Sequence, residues 1–316
     1  MLGESKNIMV AGNDYHQSAL HLNHSLTNAA LARQRFNEAF THRRSQLRRQ
    51  WLIGSLLMMI LIGISSVIGE VNLVHLWDRL PRFTSYFGRM VPELSWATLW
   101  PDLARWYWNG WIWLAALWQT ILIAIYATLI GIVFGYIASF LAARNLSPHP
   151  SYTFFTRRLM ELARTVPELV FAVLFVYSFG LGPLAGVLAI GLHSMGALGK
   201  LFADVAENVD LEQVKGVRST GASWSQTMLY GVTPQVLPDY LSYGLLRLEI
   251  NVRAASILGF VGAGGIGQEL YTAVKSFNHT DISAIVIMLI VAVIAIDSFC
   301  SWVRGRVIGR DNLKAI

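Results

Sequence analysis

Charged side chains lie inside long apolar stretches of this chain, where an ionised group needs a partner or a polar environment, and six of them form two groups along the sequence. They are Glu161, Arg164, Glu168, Arg247, Glu249 and Arg253. Residues four apart are neighbours on a helix, so Arg164 can pair with Glu168, and Glu249 can pair with Arg253. Arg247 has no comparable partner along the sequence. Two interpretations stay open for these charges: structural ion pairs, or the lining of a path for an anion.

Closely spaced glycines form a second candidate site, between Gly259 and Gly267. The stretch contains the pattern GxGxxG, which binds dinucleotides only where it follows a strand and opens a βαβ unit. Here it follows an apolar helical run, so we exclude a nucleotide site. The glycines predict either a helix-breaking turn between two membrane spans or a nest of backbone N–H groups that binds an anion. The residues predicted to line an anion path are Gly262, Gly264, Gly265, Gly267, Arg253, Arg247, Arg164 and His193.

Proton transfer and covalent catalysis find little support in the sequence. His193 and Asp297 are isolated in two apolar runs, so hydrogen-bonded packing is the expected role and a proton relay is the alternative. The single cysteine, Cys300, excludes an intrachain disulfide and offers no metal cluster. No GxxxxGK[S/T] pattern occurs, so any ATP and its Mg²⁺ must be bound by another chain. We predict no catalytic residues, no metal site and no cofactor in this chain.

A polar segment from Leu211 to Pro238 separates two of the apolar runs. Gly221 suits the left-handed turn that ends a helix. Ser223 with Gln226 three residues later forms a capping-box pattern, which predicts the start of a second helix. An ordered polar loop of this length in a membrane protein predicts a surface for a soluble partner. The alternative is an ordinary amphipathic loop.

The elements that must position these residues are membrane helices. With 54% hydrophobic and 14% charged residues, the chain is too apolar for a soluble globule. Gly131 and Gly135, spaced as in GxxxG, predict close helix packing in the second apolar run. Val71 to Gly110 is rich in tryptophan, which favours the membrane boundary, so interfacial helices or a loop packed on the bundle are expected there. Six apolar runs are long enough to cross a bilayer, at about 20 residues per crossing: Trp51–Gly69, Trp111–Ala142, Leu159–Phe179, Leu184–Ala203, Val236–Leu258 and Ile282–Val303.

The distribution of positive charge predicts the orientation. With six spans, 17 of the 25 lysines and arginines fall on the side of the N-terminus and five on the other side. The positive-inside rule therefore places both termini and the 211–238 segment in the cytoplasm, and the net charge gives no indication of nucleic-acid binding. The predicted organisation is a cytoplasmic segment 1–50, a first span with a periplasmic interfacial segment 51–110, a core 111–303 with a cytoplasmic loop 205–235, and a cytoplasmic tail 304–316.

Several motifs together resemble the permease subunit of bacterial phosphonate importers of the ATP-binding-cassette class. They are RTVP at 164–167, FGLGP at 179–183, LHS at 192–194, VRSTGAS at 217–223, NVR at 251–253 and GAGGIG at 262–267. Gly221 and Pro234 also have the spacing of the coupling loop, the EAA loop, of such permeases. Lys215, followed by Gly216 and Val217, stands where that motif has an acidic residue and two alanines.

The resemblance implies an all-α integral membrane fold of six transmembrane helices: a five-helix type I importer core plus one extra N-terminal helix. It implies a second permease copy, two cytoplasmic ATPase subunits that bind ATP and Mg²⁺, and a periplasmic binding protein that delivers a phosphonate or related phosphorus oxyanion across the bacterial inner membrane. The residues implied to couple to the ATPase are Lys215, Gly216, Val217, Arg218, Ser219, Thr220, Gly221, Ala222, Ser223 and Pro234.

Three other functions remain as alternatives. An importer permease for another small solute would share the same fold. An ion-coupled carrier would be favoured by inverted repeats with paired broken helices, and the sequence has one broken region. A membrane enzyme would need a cluster of nucleophile, base or metal ligands, which the sequence lacks.

Overall fold

The computed structural model describes residues 46–69 and 73–307, together with residues 40, 43 and 44. These residues form helices joined by short turns and loops. The chain divides into two compact units, residues 1–81 and 82–316. The helices are α1 (Gln46–Ile68), α2 (Leu73–Met90), α3 (Leu99–Trp106), α4 (Gly110–Ala142), α5 (Pro150–Thr165), α6 (Glu168–Phe179), α7 (Pro183–Ala206), α8 (Leu211–Ser219), α9 (Trp224–Thr227), α10 (Thr233–Leu258), α11 (Ile266–Lys275) and α12 (His279–Val307).

Four described helices are long and apolar enough to cross a membrane: α1, α4, α7 and α12. A fifth crossing results if the continuous helical stretch Trp224–Val261 and α11 are counted as one span with a bend of 45°. These elements confirm an all-helical membrane fold. Residues 1–39 and 308–316 lie outside the described residues, so the predictions for the N-terminal segment and the end of the tail stay predictions.

The predicted third span, Leu159–Phe179, differs from expectation because it is two helices. α5 ends at Thr165 and α6 begins at Glu168, with Val166 and Pro167 between them in extended conformation. Proline lacks an N–H and disfavours helical geometry in the residue before it. The 12 residues of α6 cover about 18 Å, less than the roughly 30 Å of a hydrocarbon core.

Tryptophans of the segment before α4 have two different environments. The Nε1–H of Trp106 donates to the carbonyl of Thr280 at 3.0 Å, and that of Trp108 donates to Asp281 Oδ1 at 3.2 Å. These two rings therefore hold the segment against the start of α12. Trp96 and Trp100 are 94% and 80% exposed, as expected of side chains at a membrane surface. The part next to α4 is therefore packed on the bundle, and an interfacial position for the rest of the segment stays a prediction.

Close contact between α4 and α7 forms the centre of the bundle. A Cβ added at Gly131 would lie 2.7 Å from Ser194 Cβ, and one added at Gly135 would lie 3.0 Å from the Gly199 nitrogen. The predicted GxxxG packing is therefore confirmed. Among the described residues, the three larger buried clusters follow the bundle. Trp113 belongs to the cluster nearest α11, Ile190 to the central cluster and Phe202 to the cluster beside α8.

Candidate functional site

The segment from Leu211 to Pro238 has the predicted helix–break–helix structure. The Asp210 carboxylate caps α8 by accepting from the Glu212 N–H at 3.0 Å. After α8, Gly221 adopts a left-handed conformation with φ of 85°. Ser223 and Gln226 then form a reciprocal capping box, in which the Ser223 N–H donates to Gln226 Oε1 at 2.9 Å. Local sequence is enough to specify this geometry, because every group involved lies within a few residues of its partner.

Three anchors attach this segment to the bundle. Val214 is 3% exposed and belongs to the same apolar cluster as Phe202. The indole N–H of Trp224 donates to the carbonyl of Leu146 at 2.8 Å. Gln235 accepts from the Asp210 N–H at 2.9 Å and donates to the Gly231 carbonyl at 2.7 Å. The N-terminus of α8 is therefore bonded directly to α10, and α9 is bonded to the loop that follows α4.

The outer face of the segment is polar and open. Lys215 pairs with Glu212 at 2.7 Å, with both side chains in solvent. Val217 and Ala222 are half-buried. The remaining residues predicted for coupling are exposed: Lys215, Gly216, Arg218, Ser219, Thr220, Gly221, Ser223 and Pro234. A rigidly anchored polar surface is what a docking site for a soluble partner requires.

A π-helical turn at Met228–Val232, before α10, was not predicted from the sequence. Pro234 lacks an N–H and cannot continue the α-helical hydrogen-bond pattern. The Thr233 hydroxyl donates to the carbonyl of Met228 at 2.9 Å and lies 2.7 Å from the hydroxyl of Tyr136. The wider turn therefore links the 211–238 segment to α4 as well. Proline next to a hydroxyl residue was the available signal.

A chain of hydrogen bonds runs from Arg247 into the centre of the bundle. Arg247 Nε donates to Ser194 Oγ at 3.0 Å, and the Ser194 hydroxyl donates to Asn251 Oδ1 at 3.1 Å. The Asn251 amide donates to Thr128 Oγ1 at 2.8 Å, and Thr128 donates to the Ala124 carbonyl at 2.6 Å. Among the described residues, the two terminal nitrogens of Arg247 have no hydrogen bond or ion pair. This half-buried guanidinium is fixed at one nitrogen and open at two.

Sequence reasoning identified Arg247 but missed the residues that hold it. Asn251 lies four residues after Arg247, hence on the same face of α10, and this spacing was the available signal. Ser194 and Thr128 come from α7 and α4, and their proximity depends on the close packing of those helices. No periodicity within one helix reveals such a contact.

The predicted pair of Arg164 and Glu168 does not form. The break at Pro167 places Glu168 in the first turn of α6, where its carboxylate lies 3.7 Å from His193 Nδ1. His193 Nδ1 also lies 3.1 Å from the carbonyl oxygen of Val166. Arg164 is exposed at the end of α5. The two halves of the expected span therefore do not share one helix face.

The predicted pair of Glu249 and Arg253 is also wrong, because both side chains pair with α12 instead. Arg304 donates to Glu249 at 2.8 Å, and this pair is largely buried. Arg253 lies 3.3 Å from Asp297, with side chains 47% and 40% exposed. Asp297 is thus an ion-pair partner of Arg253 in this structure. The proton-relay alternative gains no support, because no hydrogen bond or ion pair among the described residues joins Asp297 to His193.

The glycine stretch is a tight turn between α10 and α11. Gly262, Gly264 and Gly265 have φ of 85°, 80° and 77°. The Gly265 N–H donates to Gln119 Oε1 at 2.9 Å, and the adjacent Ile266 N–H donates to Thr120 Oγ1 at 2.8 Å. These donors are therefore already used within the chain. Two donors of the predicted nest are used in this way, and binding of an anion by the stretch stays a prediction. The glycines do break the helix, although the break falls between α10 and α11 rather than between two separate spans.

The chain matches a protein family described as "Binding-protein-dependent transport system inner membrane component". The match covers residues 131–310, more than half of the chain. The chain belongs to this family. It is therefore a permease component of a transport system and not an enzyme, and the residues matched include the coupling segment, Arg247 and the glycine turn.

Curated relatives support the same assignment. The permease is 38% identical over 242 residues to the phosphate-import permease protein PhnE of Mycolicibacterium smegmatis, an alignment of 77% of this chain and 43% of that relative. It is 35% identical over 237 residues to the phosphite transport system permease protein PtxC of Stutzerimonas stutzeri, covering 75% of this chain and 82% of the relative. The chain therefore spans less than half of the first relative and most of the second.

Solved structures show the same fold. An inward-facing structure of the MetNI methionine ABC transporter superposes with a TM-score of 0.56 at 18% identity, covering 63% of this chain and 97% of the matched chain. A bacterial ABC transporter for the acidic polysaccharide alginate gives a TM-score of 0.55 at 13% identity, covering 83% and 98%. The permease thus has the type I importer fold. At 18% and 13% identity, these similarities are evidence for the fold and not for the transported solute.

Proposed function

We propose that this permease is the transmembrane subunit of an ATP-driven importer for phosphonate or a related small phosphorus oxyanion. The names of the relatives support the substrate class, since one is a phosphate-import permease and another belongs to a phosphite transport system. The structural observation that carries the proposal is Arg247. A guanidinium with two open nitrogens among helices offers the forked donors that an oxyanion takes.

Coupling to ATP hydrolysis is assigned to the exposed face of the 211–238 segment. Two cytoplasmic ATPase subunits bind ATP and Mg²⁺ and dock on this face, where Lys215, Arg218 and Ser219 lie open. The anchors at Val214, Trp224 and Gln235 transmit their closure to α4 and α10. The permease itself makes and breaks no covalent bond.

The translocation path is assigned to the polar surface formed by α6, α7 and α10. Arg247 supplies its positive charge, His193 with Glu168 lies on the neighbouring helices, and exposed Arg164 stands at the end of α5. Hydrocarbon cannot solvate a half-exposed ion pair, so Arg253 and Asp297 face a cavity or another protein surface. A second copy of this permease is the partner that we assign to that surface.

The orientation follows from charge. The permease lies in the bacterial inner membrane with both termini in the cytoplasm, because lysine and arginine concentrate on that side. A periplasmic binding protein then delivers the anion to the opposite end, near the α11–α12 turn.

The test is transport by the complete complex. The permease is co-purified with its ATPase subunits and reconstituted in vesicles that contain ATP, with the binding protein outside. We expect ATP-dependent uptake of phosphite, methylphosphonate or phosphate, and no uptake of D-methionine. Uptake of methionine alone would make the substrate class wrong. Uptake driven by a proton or sodium gradient without ATP would make the coupling mechanism wrong.

A further inference from the structure

A cleft of about 500 Å³ lies where α4 ends and α5 begins. Three arginines line it, Arg144, Arg157 and Arg158, and the other lining residues are Ser147, Pro150, Thr153 and Phe154. We call it the basic cleft. It is separate from the Arg247 chain and from the exposed face of the coupling segment.

The three arginines of the basic cleft differ in the number of partners that hold their side chains. Arg157 is held by the carbonyl of Ala142 at 2.9 Å and by Glu207 at 2.5 Å. Arg158 pairs with Glu161 and is 62% exposed. The Arg144 side chain is exposed and has no hydrogen bond or ion pair with the described residues. Three arginines facing two carboxylates leave an excess of one positive charge, and Arg144 carries it unpaired.

Exposed aromatic side chains lie on the first turns of α5, and one of them, Phe154, lines the cleft. Tyr152, Phe154 and Phe155 are 55%, 57% and 70% exposed, and the guanidinium of Arg158 lies over the ring of Phe154 at 5.6 Å. Arginine beside exposed rings is the combination expected at the boundary of a membrane, where rings face the acyl chains and cations face the headgroups.

The basic cleft adjoins the base of the coupling segment. Leu146, between Arg144 and Ser147, is buried in the cluster that contains Val214 and accepts the hydrogen bond from Trp224. A molecule held in the cleft would therefore rest against the loop that anchors the segment.

We propose that the basic cleft binds the phosphate headgroup of an anionic phospholipid. A free phosphorus oxyanion shares the charge chemistry, but it would leave most of a 500 Å³ cleft and its exposed rings unfilled. A glycerophospholipid fills both parts, with the phosphate diester at Arg144 and Arg158 and the glycerol and upper acyl chains along Phe154. This site does not depend on which solute the transporter carries.

The experiment counts lipids retained by the full-length permease. The protein is purified in detergent that contains phosphatidylglycerol or phosphatidylcholine. Native mass spectrometry then measures the mass of the protein with the lipids that it retains. We expect one phosphatidylglycerol to be retained and phosphatidylcholine to be lost. In Arg144→Gln/Arg158→Gln, retention should fall roughly 10- to 30-fold, because each arginine near an anionic lipid contributes about fivefold. Both side chains are exposed, so the thermal unfolding midpoint should not change.

The matched control is Arg48→Gln/Arg306→Gln, which removes two positive charges outside the basic cleft. Equal loss of phosphatidylglycerol in this variant, or full retention in the cleft variant, would overturn the proposal. Displacement of the lipid by millimolar inorganic phosphate at constant ionic strength would assign the cleft to a free oxyanion instead. Loss of the lipid when the ATPase subunits assemble would assign it to the ATPase interface. Retention through both treatments supports the lipid site.

Discussion

The guanidinium of Arg247 supplies positive charge to the proposed path. Arg247 uses Nε to reach Ser194, and the chain through Asn251 to Thr128 fixes that nitrogen. The remaining two nitrogens are the donors available to a substrate. The geometry separates the part of the side chain that is structural from the part that is free to bind.

Arg247→Gln should therefore reduce the initial rate of uptake by about 10- to 100-fold, since hydrogen bonds to charged groups contribute about 1.5–3 kcal/mol. Arg247→Lys keeps the positive charge but loses the fork, so an intermediate rate is expected. Uptake into vesicles at equal permease content measures both. A rate unchanged in Arg247→Gln would remove this residue from the path.

Neighbouring atoms leave no room for a side chain at Gly267, whereas the space around Gly216 is open. A Cβ at Gly267 would lie 1.9 Å from the Ser256 carbonyl oxygen, whereas nothing lies within 4 Å of one at Gly216. Gly267→Ala should lower the free energy of unfolding by about 1–3 kcal/mol or more through overpacking. Gly216→Ala should raise it by roughly 0.5–1 kcal/mol, because alanine favours a helix. Denaturation midpoints compare the two, and equal midpoints would contradict the close crossing of α10 and α11.

At the scale of elements, the break between α8 and α9 is the most specific feature of the coupling segment. Gly221 has φ of 85°, and its N–H donates to the Arg218 carbonyl at 3.0 Å. Gly221→Pro removes that donor and imposes a negative φ, so ATP-driven uptake should be abolished while the protein still inserts. Gly221→Asn, which tolerates the left-handed region, should keep most of the activity. Normal ATP-driven uptake in the proline variant would contradict the assignment of this segment to ATPase coupling.

Local elements could be predicted and tertiary pairings could not. The capping box at Ser223 and the turn at Gly221 follow from neighbours in sequence, as does the GxxxG stripe of α4. The pairing of Glu249 with Arg304 could not be foreseen, because α12 offers a partner that competes with the neighbour four residues along α10. The break at Pro167 was visible in the sequence, but its effect on Glu168 depends on where α7 places His193.

The partners of the glycine turn could not be predicted, for the same physical reason. Glycine-rich backbone leaves N–H groups without helical partners, and the sequence alone cannot say what satisfies them. Here the side chains of Gln119 and Thr120, more than 140 residues away along the chain, take that role. Substitutions at Gly264 or Gly265 are thus expected to disturb folding of the turn before they disturb transport.

At the scale of the whole molecule, the polar sites lie at the two ends and in the middle of an apolar helical bundle. The cluster around Phe202 supports the coupling segment, and the central cluster surrounds the Arg247 chain. The cluster around Trp113 supports the α11–α12 turn. Movement of the coupling segment can reach the path because α7 and α10 run through both clusters without a break between them.

The orientation of this bundle can be measured with single cysteines. Ser219 lies at the exposed end of α8, and Asn278 is exposed in the turn before α12, so Ser219→Cys and Asn278→Cys should mark opposite membrane faces. The native Cys300 is 0% exposed and gives little background, for which the unmodified protein is the control. In intact cells, a membrane-impermeant maleimide should label Asn278→Cys at once and Ser219→Cys only after permeabilisation. Because α10 and α11 together form the single crossing between the two positions, labelling of both from one side would contradict the proposed topology. Reversed labelling would place the ATPase surface outside the cell, where no ATP is available, and the coupling proposal would fail with it.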